Sequence, residues 1–188
     1  MTVSEVLNPK KEYFKNIKAL IFDMDGTLID SMPYWHPTEG IGDFDSVYDY
    51  IHEKYGTSVK PKPYAIELLT LLKRNHIPVC IATDTPRETS EHFFENYDLD
   101  ALVDFRITSD EVHEYKQFSP AIYLKAAEML GCKPSECAVF EDYLTSAKTA
   151  KSAGFTVVGV YDDDIKGDLF VMKKICDDYV YNLGQLMK

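Results

Sequence analysis

The stretch Phe22-Asp23-Met24-Asp25-Gly26-Thr27-Leu28 follows directly on the apolar run Ala19 to Phe22 and carries two carboxylates spaced two residues apart, then a glycine. A short apolar run bounded by a turn signal reads as a buried strand, and glycine lets the chain turn sharply at its end. Carboxylates at the carboxyl end of a parallel strand face the crevice where α/β proteins bind ligands. Two of them at i and i+2 along extended chain share a face, so one can attack or hold a metal while the other transfers protons. A turn or a helix cap would use the same residues for structure alone. A calcium EF-hand loop is excluded, because that loop needs its glycine at the sixth position and Gly26 is fourth from Asp23.

Working outward, further apolar runs at Val79 to Thr83, Phe105 to Thr108, Ala138 to Phe140 and Thr156 to Val160 alternate with helix-period segments. That alternation predicts a Rossmann-like α/β fold, a five-stranded parallel sheet between two helical layers. Tyr64 to His76 places Ala65, Leu68, Leu69 and Leu72 on one helix face. Thr85-Pro86-Arg87-Glu88 carries an N-cap, a proline and a capping-box glutamate, Ser119-Pro120 opens a helix that stops at Gly131, and Leu144 to Gly154 is a small-residue helix. Residues 1–188 read as one domain of this kind. Ser31 to Pro63 breaks the alternation: it holds four prolines, the aromatic stretch Tyr34-Trp35-His36 and a short helix, Ser46 to Tyr55, ended by Gly56, and it reads as an insertion after the first strand.

Other strand ends carry chemistry too. Glu141-Asp142 follows the strand ending at Phe140; alone it also reads as an acidic helix cap. Two acid pairs in one crevice repel unless a cation compensates them, so the implied cofactor is a divalent ion with oxygen ligands, Mg²⁺. Thr83-Asp84 stands before a helix N-terminus, which favours anions, or simply caps the turn. Lys116 lies in a polar loop before the Ser119 helix. The five histidines show no metal-binding spacing, and no phosphate-binding glycine loop of the P-loop or dinucleotide type is present.

Composition sets outer limits. With 188 residues, 45% of them hydrophobic, the chain can bury a core of its own. A net charge of -11 is the wrong sign for affinity to nucleic acid or an anionic membrane, and no run reaches the ~20 apolar residues of a membrane span. Cys80, Cys132, Cys137 and Cys176 form no C-x-x-C pair and read as reduced thiols of a cytoplasmic protein.

Taken in order, Asp23-Met-Asp25-Gly-Thr-Leu-Ile-Asp30-Ser31, Ile81-Ala-Thr83, Lys116 and Phe140-Glu141-Asp142 resemble the motifs of the haloacid dehalogenase superfamily, especially its phosphatase and β-phosphoglucomutase-like branch. The resemblance implies a nucleophilic Asp23 that becomes an aspartyl phosphate, with Asp25 as general acid and base. It implies Thr83, with Asp84 and Lys116, at the transferring phosphoryl group of a small phosphorylated substrate. Mg²⁺ would be held by Asp23, the backbone carbonyl of Asp25, Glu141 and Asp142. Aligning the third motif on Pro120 would put Gln117 where Lys116 is expected. Trp35 stands where the mutases carry a histidine, which favours hydrolysis; a phosphohexomutase and a non-catalytic binding protein are the rival readings. Residues 31–63 are few for the family's helical cap, so they read as a truncated cap over a comparatively open crevice, in a monomer or a homodimer.

Overall fold

The computed structural model describes residues 1–35, 44–165 and 168–188, with backbone alone at 44 and 45. Six parallel strands form one sheet: β1 (Ala19–Phe22), β2 (Val79–Thr83), β3 (Phe105–Thr108), β4 (Cys137–Glu141), β5 (Thr156–Val160) and β6 (Asp178–Val180), in the order β3-β2-β1-β4-β5-β6. The helices in chain order are α1 (Val3–Val6), α2 (Met32–Trp35), α3 (Phe44–Thr57), α4 (Ala65–Arg74), α5 (Arg87–Tyr97), α6 (Leu99–Leu102), α7 (Ser109–Val112), α8 (Ala121–Met129), α9 (Leu144–Ser152) and α10 (Leu169–Ile175).

Side-chain alternation along the central strands feeds two cores. Leu20 and Phe22 of β1 join Ile81, Phe140 and Val158 in a cluster with Leu68, Leu69 and Leu72 of α4 and Phe93 and Phe94 of α5. Ala19 and Ile21 point the other way, into a cluster with Val139, Val157, Ile122 and Ala126 of α8, Ala147 and Ala150 of α9, and Met172 of α10. This is the three-layer arrangement expected of strands buried on both faces. The face of α4 that is buried consists of Ala65, Leu68, Leu69 and Leu72, as the sequence periodicity requires.

The expectation of five strands is corrected to six. β6 pairs with β5 through Val158↔Asp178, Gly159↔Tyr179 and Val160↔Val180. It has three residues, only Val180 is fully buried, and Asp178 lies within it, so it presents no apolar run. A short edge strand needs little hydrophobicity and tolerates charge, which discourages further pairing. Lys11 forms an ion pair with Asp178 and the Tyr13 hydroxyl donates to it at 2.8 Å, tying the N-terminal segment to that edge.

The insertion also differs from its reading. α3 is a 14-residue helix and runs through Gly56 instead of ending there. Gly56 sits where α3 meets α5: an added Cβ would lie 3.5 Å from the Cβ of His92, and the Gly56 carbonyl accepts from Asn96 Nδ2 at 2.9 Å. The glycine serves close helix contact, not helix termination. Ile51 and Tyr55 of α3 are fully buried in the first core. His36 lies outside the described residues. All four cysteines are free thiols. No described helix is long and apolar enough to cross a membrane.

The packing of β5 against the edge strand is testable at Gly159, where an added Cβ would come within 2.4 Å of the Tyr179 ring. Gly159→Ala is expected to cost about 1–3 kcal/mol in urea unfolding through overpacking. The same substitution in a Tyr179→Ala background should cost clearly less; equal costs would show that the ring is not the obstacle.

Candidate active site

The strand order reverses between β1 and β4, and a parallel sheet offers its ligand crevice at such a switch point. The register Phe22↔Phe140 sets the ends of the two strands side by side, with the two rings stacked 4.3 Å apart and the Asp23 N–H bonded to the Phe140 carbonyl at 3.0 Å. Asp23 therefore meets Glu141 and Asp142 at once. Ligand oxygens of these three buried carboxylates lie within 4.8 Å of one another, the one such cluster among the described residues.

Lys116 answers the charge. Its ammonium, buried with them, pairs with Asp23 and lies 2.9 Å from Glu141 Oε1, which also accepts from the Tyr123 hydroxyl at 2.5 Å. The loop that carries Lys116 is pinned on both sides of the residue. Its N–H donates to Asp84 Oδ1 at 3.1 Å, and its carbonyl accepts from Thr149 Oγ1 at 2.6 Å. Gln117 is exposed at the rim, so the side chain that reaches the carboxylates is that of Lys116.

Burial opposes the Lys116 charge, but Asp23, Glu141 and Asp84 outweigh it and hold its proton well above the ordinary lysine range. Burial, reinforced by Glu141, pushes the Asp23 carboxyl up, and Glu141 is also raised by burial. Asp142 is pushed up to about 8 by burial and then by Glu141. One ammonium thus compensates three carboxylates incompletely.

Two buried oxygens, Glu141 Oε2 and Asp142 Oδ2, have no hydrogen-bond partner. Orphaned carboxylate oxygens beside Asp23 are the hard donors that a divalent cation takes, so these residues fit Mg²⁺. Gly26, at φ +75°, makes room for them: an added Cβ would fall 2.0 Å from Asp142 Oδ2.

Asp25 stands apart from that cluster. Its Oδ1 accepts from Ser31 Oγ at 2.6 Å and from the Tyr55 hydroxyl, and its Oδ2 accepts from Thr85 Oγ1 at 2.7 Å and Thr83 Oγ1 at 3.3 Å. Tyr55 in turn accepts from Trp35 Nε1 at 3.2 Å. Thr85 departs from its capping signal: α5 begins with Pro86 at the N-cap and no side-chain cap, because the threonine hydroxyl is spent on Asp25.

A family model for haloacid dehalogenase-like hydrolases matches residues 36–154. The chain belongs to this family. The phosphorylated carbohydrates phosphatase of Thermotoga maritima is 26% identical over 178 residues, covering 73% of this chain and 82% of its own. Hexitol phosphatase A of Escherichia coli is 26% identical over 181 residues, covering 76% of this chain and 82% of its own. A solved family IA, variant 3 HAD hydrolase from Entamoeba histolytica superposes with a TM-score of 0.77 at 25% identity, over 91% of this chain and 96% of that one.

In this haloacid dehalogenase-like hydrolase, the fold brings Asp23, Asp25, Thr83, Asp84, Lys116, Glu141 and Asp142 to one cleft of about 520 Å³. Sequence reasoning missed Tyr55, Thr85, Ser31 and Tyr123. Thr85 precedes Pro86 and a helix, so its sequence signal was that of a cap, and Ser31 closes the first motif but was given no role there. Tyr55 and Tyr123 lie inside helical segments and carry no local signal that sets them apart from core aromatics.

The raised carboxyls set a pH dependence of stability. Folded, they keep protons that the unfolded chain releases near its ordinary carboxylate range of about 4. The metal-free folded state then binds more protons than the unfolded one from about pH 4 to 8, so the unfolding free energy falls as pH rises through that window. Urea melts in chelator at pH 5 and pH 8 should show the loss, and Mg²⁺ should flatten it; stability rising with pH would contradict the charge assignment.

Proposed function

We propose that the chain is a Mg²⁺-dependent phosphatase that hydrolyses a small phosphorylated metabolite through an aspartyl phosphate on Asp23. The observation that carries this reading is the separation of two adjacent carboxylates into two environments: Asp23 among Lys116, Glu141 and Asp142, and Asp25 among hydroxyls. A binding module has no use for a nucleophile paired with an acid and base in this way.

Asp23 attacks phosphorus, and the bond to the leaving oxygen breaks as Asp25 delivers a proton to it. A water then attacks the phosphoryl group on Asp23, giving its proton to Asp25 and releasing phosphate and the free Asp23 carboxylate. Four hydroxyls hold Asp25 in orientation, and each can turn from donor to acceptor when the carboxyl takes up a proton. Lys116 keeps Asp23 placed and puts a fixed positive charge where negative charge gathers. Thr83, at the end of β2, supports the phosphoryl side of the cleft. Asp23, Glu141, Asp142 and the Asp25 backbone carbonyl would hold Mg²⁺, which supplies neutralisation of the charge shared between nucleophile and phosphate. The phosphatase relatives support hydrolysis as the reaction.

Asp23→Asn is expected to abolish turnover of phosphate esters while leaving the urea midpoint unchanged or higher, because it removes one crowded carboxylate. Asp25→Asn should still form phosphoenzyme from esters with good leaving groups but slow the slower steps by about 10²–10⁴. Rapid-quench trapping of the phosphoenzyme reads both, and an active Asp23→Asn protein would refute the mechanism.

Exhaustive chelation should remove activity, and Mg²⁺ should restore it while raising the melting temperature. Hydrolysis that persists in chelator would remove the metal from the reaction, and a chain with no activity on any ester in Mg²⁺ would be a binding protein.

A further inference from the structure

Above the carboxylate floor, the cleft is walled by Met32, Trp35, Tyr48, Tyr115, Tyr143 and Ile165. These residues come from five separate parts of the chain. Met32 and Trp35 lie on α2, Tyr48 on α3, Tyr115 beside the pinned Lys116, and Tyr143 immediately before α9. Tyr115 is 57% exposed and Tyr143 43% exposed, large apolar surface that the core does not use. Tyr48 lines the same wall as Tyr115. Among the described residues, Asp84 and Thr85 are engaged by Lys116 and Asp25, so the polar groups at this level are the three tyrosine hydroxyls, Gln117 and Ser146.

Resting on the phosphatase reading, we infer that this wall selects a phosphate monoester whose leaving alcohol carries a flat aromatic ring, in preference to a polyhydroxylated sugar phosphate. Each hydroxyl of a sugar taken from water into such a wall needs a partner, and an unpaired one costs more than a ring that needs none. An aromatic ring instead gains stacking and edge contacts with the tyrosines and the tryptophan. Lys116 is the only cation among the described residues lining the cleft, and it is engaged by Asp23 and Glu141, so a second phosphate on the substrate finds no counter-charge there.

The test compares benzyl phosphate with a hexose 6-phosphate, both esters of primary alcohols, so that leaving-group basicity does not decide the result. Wild-type protein with Mg²⁺ is expected to favour benzyl phosphate by at least about tenfold in kcat/KM. Tyr115→Ala and Tyr143→Ala should shrink that preference, chiefly through KM, and Tyr115→Phe should restore it. A preference for the hexose ester, or one that the alanine variants leave intact, overturns the inference while leaving the phosphatase reading standing.

Binding gives a readout that does not depend on turnover. Trp35 is the single tryptophan of the chain, so its fluorescence reports the cleft directly. Benzylphosphonate, which cannot be hydrolysed, should change that fluorescence at concentrations about tenfold lower than hexose 6-phosphate does. Absence of turnover with this binding order kept would count against the phosphatase reading alone; equal or reversed binding overturns the aromatic specificity.

Discussion

A buried ammonium among buried carboxylates is the constraint on which the rest of the site depends. Phe22↔Phe140 pairing forces Asp23 against Glu141 and Asp142 before any ligand is present. Desolvated acids at that distance would ionise only at a heavy cost. Lys116 meets it, and the loop must fold so that Lys116 can reach, which accounts for the bonds from Asp84 and Thr149 that grip its backbone. The ends of β1 and β4 are thereby tied through one side chain, and the turn after β2 is tied to the same residue through its backbone N–H. The charge that remains uncompensated, with two orphaned oxygens beside it, is what fits the site to a divalent cation.

The second constraint is the hydroxyl ring around Asp25. Ser31 and Tyr55 come from the insertion, Thr83 and Thr85 from β2 and the turn after it. The insertion therefore acts on the chemistry from within. Its helix α3 buries Ile51 and Tyr55 against the body of the fold, and the same helix carries Tyr48 to the mouth of the cleft. One rigid element sets both the orientation of Asp25 and part of the wall that a leaving group would meet, so loss of its packing would disturb both together.

The sheet's central strands and the α4 face were legible because each depends on neighbours in sequence: an apolar run, a helix period, a turn residue. The same is true of the acid pairs, since their position directly after β1 and at the end of β4 places them at the crevice without further information. Strand β6 was not legible, because three residues with a charge among them carry no hydrophobic pattern and form a strand only by pairing with β5. Gly56 was misread as a helix end because glycine serves both close packing and termination, and sequence does not tell which.

By itself the sequence determined the local periods and the chemical groups that stand at each strand end, since those follow from residues a few positions apart. The tertiary structure decided the partners. Whether residue 116 or 117 reaches residue 23, whether Thr85 caps a helix or binds Asp25, and whether Tyr55 is a core aromatic or a ligand of a carboxylate depend on how loops close and helices dock. Those contacts join residues 30 to 93 positions apart, or divert a hydroxyl from a local bond to a distant one. Their energies come from burial and from charges brought together by the fold, and no pattern of neighbouring residues encodes that.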